Sequence, residues 1–378
     1  MQSILLAFDS FKGTLSAPEL CNIATQALEK TLPGVVIEAL PLADGGEGMV
    51  DAYLRAAGGT AHVAEVSGPF LEPVRAKYGI LNDGTAILEM AACAGLPLVG
   101  ERKNPLRAST YGLGELILHA HAQGAEKLIV GLGGSATNDG GIGMAAALGY
   151  RFFDRRGEEV APFAENMTSI EHIEKPATLP RISVVAACDV DNLLYGPTGA
   201  TYTFSKQKGA DADMMRRLEA GIIQLSEVML RDLGCFITCT PGAGAAGGLG
   251  AAVVAFLSGS LQPGIELLLN AANFDDMVRR ADLVITGEGR IDYQTAHGKA
   301  PAGVARRAKQ YHKPCIALCG ATGENVQDVY ACGIDAVFSS VACARTWEDV
   351  QQTAAQDFAL LVENIGRLLL LTQKLPQK

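Results

Sequence analysis

Acidic side chains end one apolar run after another, most of them beside glycine. They are Asp9 in FDSFKG, Asp44 in ADGGEG, Asp139 in NDGG, Asp189 in CDVDN, and Glu288 and Asp292 in TGEGRID. Carboxylates next to bare backbone suit hydrated Mg2+, which takes one or two acids and fills its remaining positions with water and substrate phosphate oxygens. Any one of these residues reads equally well as a turn or helix cap, but five such corners on one edge share a single chemistry. The cations that could balance phosphate or carboxylate there are Lys12, Arg107, Lys208, Arg290 and Lys299, each of which taken singly reads as a solvated surface charge. Of six histidines only His297, in TAHGK, lies in a motif. A histidine base is therefore not required, and an aspartate could take a proton from an alcohol.

The stretch KLIVGLGGSATNDGGIGMAAALG, residues 127–149, reads as a buried strand, a bare loop and a helix of small residues. Glycines at 131, 133 and 134 let the backbone turn tightly, and Ser135, Thr137, Asn138 and Asp139 are helix-capping side chains. Such a loop offers N–H groups to an anion; an ordinary glycine-rich turn explains it equally well. Two dinucleotide-like fingerprints also occur: Gly242, Gly244 and Gly247 with Glu266 further on, and Gly131, Gly133 and Ala136. The first follows Pro241 in an Ala/Gly stretch where close packing accounts for the glycines, and neither lies in the N-terminal βαβ unit. No GxxxxGK[ST] loop, protein-kinase catalytic loop, GxSxG elbow or HExxH pair is present.

These groups must be positioned by an α/β framework. The chain has 378 residues, 48% hydrophobic and 19% charged, with 43 glycines and few aromatics, which implies two domains with many tight βα turns. A net charge of -10 argues against a nucleic-acid backbone or an anionic membrane as main partner. Nine cysteines without a CxxC pair, and no secretion signal before Asp9, indicate a reducing cytoplasm. The uncharged run 233–265 carries two prolines and eight glycines, so it reads as a buried helix and not a membrane span.

SILLAF, a helix with the capping box Ser16–Glu19, and VVIEALPL form a first βαβ unit with Asp9, Ser10 and Lys12 at the carboxyl end of its first strand. Residues 60–90 alternate in short runs separated by turns, which predicts an antiparallel patch. Strands then alternate with helices to the end of the chain. The expected fold is a Rossmann-like, doubly wound parallel sheet from residues 1–60 and 275–378, with a second α/β domain bearing a mixed sheet, residues 61–274, inserted between its halves.

DSFKGTLSA, ADGGEG, EMAACAGL, GLGGSATNDGGIGM, ACDV, QKGA, PGAGAAGGLGAA and ITGEGRIDYQTAHGK, in this order through nearly the whole chain, resemble the bacterial glycerate kinases. Ser205 and Lys206 stand where that family usually has Gly-Pro, and Asn192–Leu194 lacks its proline. The resemblance implies ATP-dependent, Mg2+-assisted phosphorylation of D-glycerate at the 2-hydroxyl, in a cleft between two α/β domains. A 3-kinase, an NAD-dependent dehydrogenase and a non-catalytic ligand-binding protein are the alternatives. No nucleic-acid or membrane partner is expected, and a homodimer is an allowed assembly. Chemistry then distributes the roles. Gly131, Gly133, Gly134, Ser135, Asn138, Gly244 and Gly247 are expected to receive the nucleotide. Lys12 and Arg290 would neutralise the transferring phosphoryl group and the glycerate carboxylate, with Asp9, Ser10, Arg107 and Lys299 as further substrate contacts. Asp189 and Glu288 would hold Mg2+, and Asp44 would orient or deprotonate the hydroxyl.

Overall fold

The structure, a computed structural model, describes residues 2–43, 46 and 48–374, with backbone alone at 372–374. Asp44, with Gly45 and Glu47, lies outside the described residues. In chain order the strands are β1 (Ser3–Phe8), β2 (Val36–Ala39), β3 (Gly59–Ser67), β4 (Pro73–Leu81), β5 (Thr85–Glu89), β6 (Lys127–Gly131) and β7 (Arg151–Phe153). They continue with β8 (His172–Glu174), β9 (Ser183–Ala187), β10 (Ser260–Gln262), β11 (Leu283–Ile291), β12 (Cys315–Thr322) and β13 (Ala336–Ser339). Contacts gather the chain into two compact units, Met1–Asp44 with Ile265–Lys378, and Gly45–Gly264. Sequence reading puts the divisions near 60 and 275. The helix Met49–Ala57 goes with the second unit because it packs on β4 and β5.

The first unit holds one five-stranded sheet in the order β13-β12-β11-β1-β2, all parallel. Numbered within the unit, that order is 2-1-3-4-5, the second common doubly wound arrangement, in place of the 3-2-1-4-5-6 order of a dinucleotide-binding Rossmann sheet. Alternate residues Ile4, Leu6, Phe8, Leu283 and Ile285 pack with Leu20, Leu28, Phe358 and Val362 of the helices Ala17–Thr31 and Trp347–Lys374. The helix Ala300–Gln310 also packs on β1 and β11. The helix Ala17–Thr31 opens as the sequence predicts. The Ser16 hydroxyl accepts from the Glu19 N–H and the Glu19 carboxylate accepts from the Ser16 N–H, with proline in the first turn. Cys315 and Cys319, four apart on β12, are both buried free thiols, as their apolar setting implies.

The second unit carries a six-stranded mixed sheet, β10-β9-β6-β5-β4-β3. The predicted antiparallel patch is β3-β4-β5, and β5, β6, β9 and β10 run parallel. A short pair, β7-β8, stands apart from it, and sequence reading does not foresee it.

The middle of the uncharged run becomes interior structure. Its helix Ala245–Leu257 opens with three left-handed residues, Ala246, Gly247 and Gly248, and is almost wholly buried. No helix among the described residues is long and apolar enough to cross a membrane. At Gly247 (φ 68) an added Cβ would lie 2.3 Å from the Thr137 carbonyl oxygen, while the Gly140 N–H donates to the Gly247 carbonyl at 3.0 Å. Two backbones therefore touch with no side chain between them. Gly247→Ala should lower stability by more than the roughly 1–2 kcal/mol that a left-handed backbone alone costs a residue bearing a Cβ. Urea unfolding checks this, and an unchanged midpoint would mean the contact can relax.

Candidate functional site

In the first unit the chain leaves β1 toward β2 on one side, while β11, β12 and β13 lie on the other. The carboxyl ends of β1 and β11 therefore form the topological switch point, where open α/β sheets leave a crevice for ligands. Phe8 pairs with Gly287, so Asp9 and Glu288 are the next residues on adjacent strands, and both are buried. The Asp9 N–H donates to the Gly287 carbonyl at 2.9 Å, and its Oδ1 accepts the Ser10 N–H at 2.7 Å. An added Cβ on Gly289 would meet Phe11 Cα at 3.2 Å and Lys12 N at 3.4 Å, so the loop carrying Lys12 passes directly over the end of β11.

Further along β11 the acids are held by a short helical turn, Tyr293–Ala296. Asp292 caps that turn, the buried Thr295 hydroxyl accepts the Asp292 N–H, and the same hydroxyl donates to Glu288 Oε1 at 2.6 Å. Lys299 Nζ stands 3.5 Å from Glu288 Oε2 and Arg290 Nε 3.5 Å from Asp292 Oδ2. Six of the expected or candidate residues, Asp9, Lys12, Glu288, Arg290, Asp292 and Lys299, thus share one edge of one sheet. Sequence reading misses Thr295, the residue that joins Asp292 to Glu288. The capping pattern Asp292-x-x-Thr295 is the signal that could have found it. His297 is exposed, with Nδ1 on the Tyr293 carbonyl oxygen at 2.8 Å.

In the second unit the loop after β6 is pinned from both sides. The Leu96 N–H donates to the Gly134 carbonyl and the Ala136 N–H to the Ala94 carbonyl, both at 2.9 Å. Gly131 is buried, Gly133 half-buried and Gly134 exposed. Asp139 has no solvent exposure. It accepts from the Thr110 N–H and hydroxyl (each 2.8 Å), the Gly141 N–H (3.1 Å) and the Gly143 N–H (3.3 Å). Burial raises its pKa, and the four donors oppose that rise. Lys208, 1% exposed, reaches into the same loop, where its ammonium donates to Ser135 Oγ at 2.8 Å and the Thr137 carbonyl at 2.6 Å. Burial lowers its pKa to about 7, and the negative charge of Asp139 works against the fall.

Several expected contacts acquire a packing role here. Gly244 and Gly247 are buried. The Gly244 N–H donates to the Asn192 carbonyl at 3.0 Å, and Gly247 lies on the Thr137–Asn138 backbone. Asn138 is buried too, with its Nδ2 facing Thr201 Oγ1 at 3.5 Å. Lys208 is enclosed, not presented to solvent. Arg107 pairs with Glu165 at 2.5 Å and lies over the Phe163 ring at 5.1 Å. The Gly242 fingerprint lacks its preceding strand, and the acid meant to complete it, Glu266, is bound by Arg307 at 2.7 Å. Asp189, exposed at the end of β9, accepts the Gly264 N–H at 2.8 Å. Glu89, which ends β5, accepts the Val50 N–H at 2.7 Å. Glu89 follows the same rule of strand-final acids and could have been found by it.

Among the described residues no three His, Cys, Asp or Glu side chains gather as a metal cage. Mg2+ needs less than a cage, since substrate and water supply most of its ligands. The hard oxygens of Glu288, Asp9 and Asp292 fit that donor chemistry.

A doubly wound sheet with charge collected at its switch point defines a ligand-binding α/β protein. The chain belongs to the glycerate kinase family, whose model, described as "Glycerate kinase family", matches residues 4–370. It is 46% identical to a glycerate kinase of Bacillus cereus over 96% of this chain and 97% of that one. It is 42% identical to glycerate 2-kinase of Escherichia coli, with 97% of each covered. A crystal structure of a protein from Salmonella typhimurium LT2 superposes with a TM-score of 0.86 at 40% identity, covering 99% of this chain and 100% of that one.

Folding lowers the Lys208 pKa from 10.5 to about 7. Over that interval the unfolded chain keeps a proton that the folded protein has lost, so this group makes stability rise with pH above about 7 and withdraws the gain as pH falls back through it. Lys208→Met has no proton to lose at this position. Wild type should therefore gain stability relative to Lys208→Met between pH 7 and about pH 10 in paired urea melts; parallel profiles would mean that folding leaves the Lys208 pKa where it is in the unfolded chain.

Proposed function

We propose that this protein transfers a phosphoryl group from ATP to D-glycerate, with Mg2+ assistance, giving 2-phosphoglycerate and ADP. The observation that carries the reading is the switch point of the first unit in a chain of this family: Asp9, Lys12, Glu288 and Arg290 on the carboxyl ends of adjacent parallel strands. Phosphoryl transfer asks a protein chiefly for positioning and charge neutralisation, and an edge that mixes cations with hard-oxygen acids suits both. The 2-hydroxyl is favoured because a relative at 42% identity is a glycerate 2-kinase.

Lys12 and Arg290 neutralise the phosphoryl group and the glycerate carboxylate, with Lys299, Asp9 and Ser10 as nearby polar contacts. Mg2+ would draw on the carboxylate of Glu288, with those of Asp9 and Asp292 on the same edge, and when bound it neutralises phosphate charge. Asp44 keeps its proposed part as the residue that orients or deprotonates the hydroxyl. In the second unit Gly133, Gly134 and Ser135 are the nucleotide-loop residues nearest solvent. Gly131 and Asn138 are buried parts of that loop, Gly247 packs on its Thr137–Asn138 backbone, and Gly244 packs on residues 192–200. The packed setting of Gly244 and the Arg307–Glu266 pair weigh against a dehydrogenase. Nine free thiols suit a reducing cytoplasm, where we place the protein.

A glycerate-dependent ADP-release assay with the product assigned by NMR tests the whole reading. The 3-phosphate would shift the site of attack, and no turnover would remove the activity. Lys12→Ala and Arg290→Ala should each lower kcat by about 100-fold or more with an unchanged melting temperature, since removing a charge-stabilising group costs on the order of 10²–10³. Near-normal turnover in either variant would take that residue out of the reaction.

A further inference from the structure

Ser135 has the setting of a side chain prepared for a partner the protein does not supply. It follows the exposed Gly134, on a loop leaving the carboxyl end of β6, and is itself 7% exposed. Its loop is clamped by the backbone of residues 94–96, and Gly95 bridges to Ser135 itself. A hydroxyl has one proton to donate and lone pairs to accept with. The ammonium of Lys208, an enclosed cation 2.8 Å away, fills the accepting side. While Lys208 is protonated, nothing among the described residues accepts the Ser135 proton.

A lysine is a costly way to hold a serine. Enclosing the ammonium sacrifices its hydration. Only two acceptors among the described residues replace that hydration, Ser135 Oγ and the Thr137 carbonyl, and the nearby Asp139 carboxylate is itself satisfied by four other donors. What the arrangement does achieve is directional. A cation on the oxygen polarises the O–H bond and forces the proton to point elsewhere, making the hydroxyl a stronger and better-aimed donor.

We propose that the Ser135 hydroxyl donates a hydrogen bond to an anionic oxygen of a reactant, and that Lys208 is the positioning residue that aims it. Resting on the kinase reading above, the proposal leaves two sources for that oxygen, an ATP phosphate or the glycerate carboxylate. The two are separable by which KM moves.

The test is a double-mutant cycle on the full-length protein, with kcat and both KM values measured for wild type, Ser135→Ala, Lys208→Met and the double variant. Ser135→Ala should lower kcat/KM by about 10- to 100-fold, the scale of one hydrogen bond to a charged group. Lys208→Met should cost a similar factor, and the double variant should be no worse than the poorer single one, because both changes remove the same aimed donor. A raised KM for ATP alone assigns the oxygen to phosphate, and one for glycerate alone to the carboxylate. Wild-type kcat/KM in Ser135→Ala, or a double variant whose loss is the product of the two single losses, overturns the proposal. If Lys208→Met does not fold, Lys208→Gln, which keeps a donor, takes its place. Unfolding of both would leave Lys208 a stability role only and refute its part. Should wild type show no turnover, the kinase reading fails on its own. The Ser135 donor is then judged by calorimetry, and unchanged affinity of Ser135→Ala for Mg-ATP and for glycerate refutes it.

Discussion

A carboxylate sealed from water has to find its hydrogen-bond donors inside the protein, and much of the second unit is arranged around how Asp139 does so. Its donors come from two separate places: Thr110, at the start of the helix Tyr111–Ala122, and the backbone of Gly141 and Gly143, at the start of the helix Ile142–Ala147. The Thr110 hydroxyl, having given its proton to Asp139, accepts the Met144 N–H at 2.9 Å, so the two helix starts are tied by one continuous set of bonds. No Cβ fits at Gly143, where it would fall 2.3 Å from Ser109 Oγ and 2.9 Å from Asp139 Oδ2. The loop that carries Ser135 is therefore rigid on its inner side. Its outer side, at Gly133 and Gly134, is the part nearest solvent, and there too the Gly134 carbonyl is held by the Leu96 N–H. A binding loop gains from this, since little ordering entropy remains to be lost when a ligand arrives.

The first unit solves the placement problem by topology. Because β1 sends its chain one way and β11 continues the other way, no crossover helix covers the ground between their carboxyl ends. Acids placed there are near each other without being adjacent in sequence, and the Thr295 hydroxyl ties two of them together. The buried position of Asp9 and Glu288 beside the exposed Lys12 and Arg290 also separates rigid from mobile charge. Fixed carboxylates can define a site, while long basic side chains adjust to a phosphoryl group as it moves.

Much of this was readable in the residues. Alternating runs predict β3 to β5, the Ser16 box predicts the first helix boundary, and SILLAF predicts a first strand that leaves Asp9, Ser10 and Lys12 at its carboxyl end. What could not be read is which glycines meet a ligand and which meet another backbone. Gly134 and Gly247 look alike in sequence. One is exposed, whereas the other is pressed on Thr137, and only the path of a segment a hundred residues away decides it. Lys208 shows the same limit. A lysine in QKGA reads as a surface charge because burial of an ammonium is uncommon, and its partners at Ser135 and Thr137 are distant in the chain. The strand order within the first unit is equally invisible, since a βαβ pattern fits several doubly wound arrangements.

This distinction changes what the long motifs are evidence for. GLGGSATNDGGIGM and PGAGAAGGLGAA are the most distinctive stretches of the chain, yet most of their residues are buried and bonded to one another, as the Gly140–Gly247 contact illustrates. A glycine held at positive φ against a carbonyl admits no substitute, so packing alone can make such a stretch distinctive. Resemblance through these motifs therefore identifies the fold and the family more directly than it identifies the reacting groups. What the structure itself marks is where charge is costly to place and is placed nonetheless. In the first unit that is the β1–β11 edge, and in the second it is the enclosed ammonium behind Ser135.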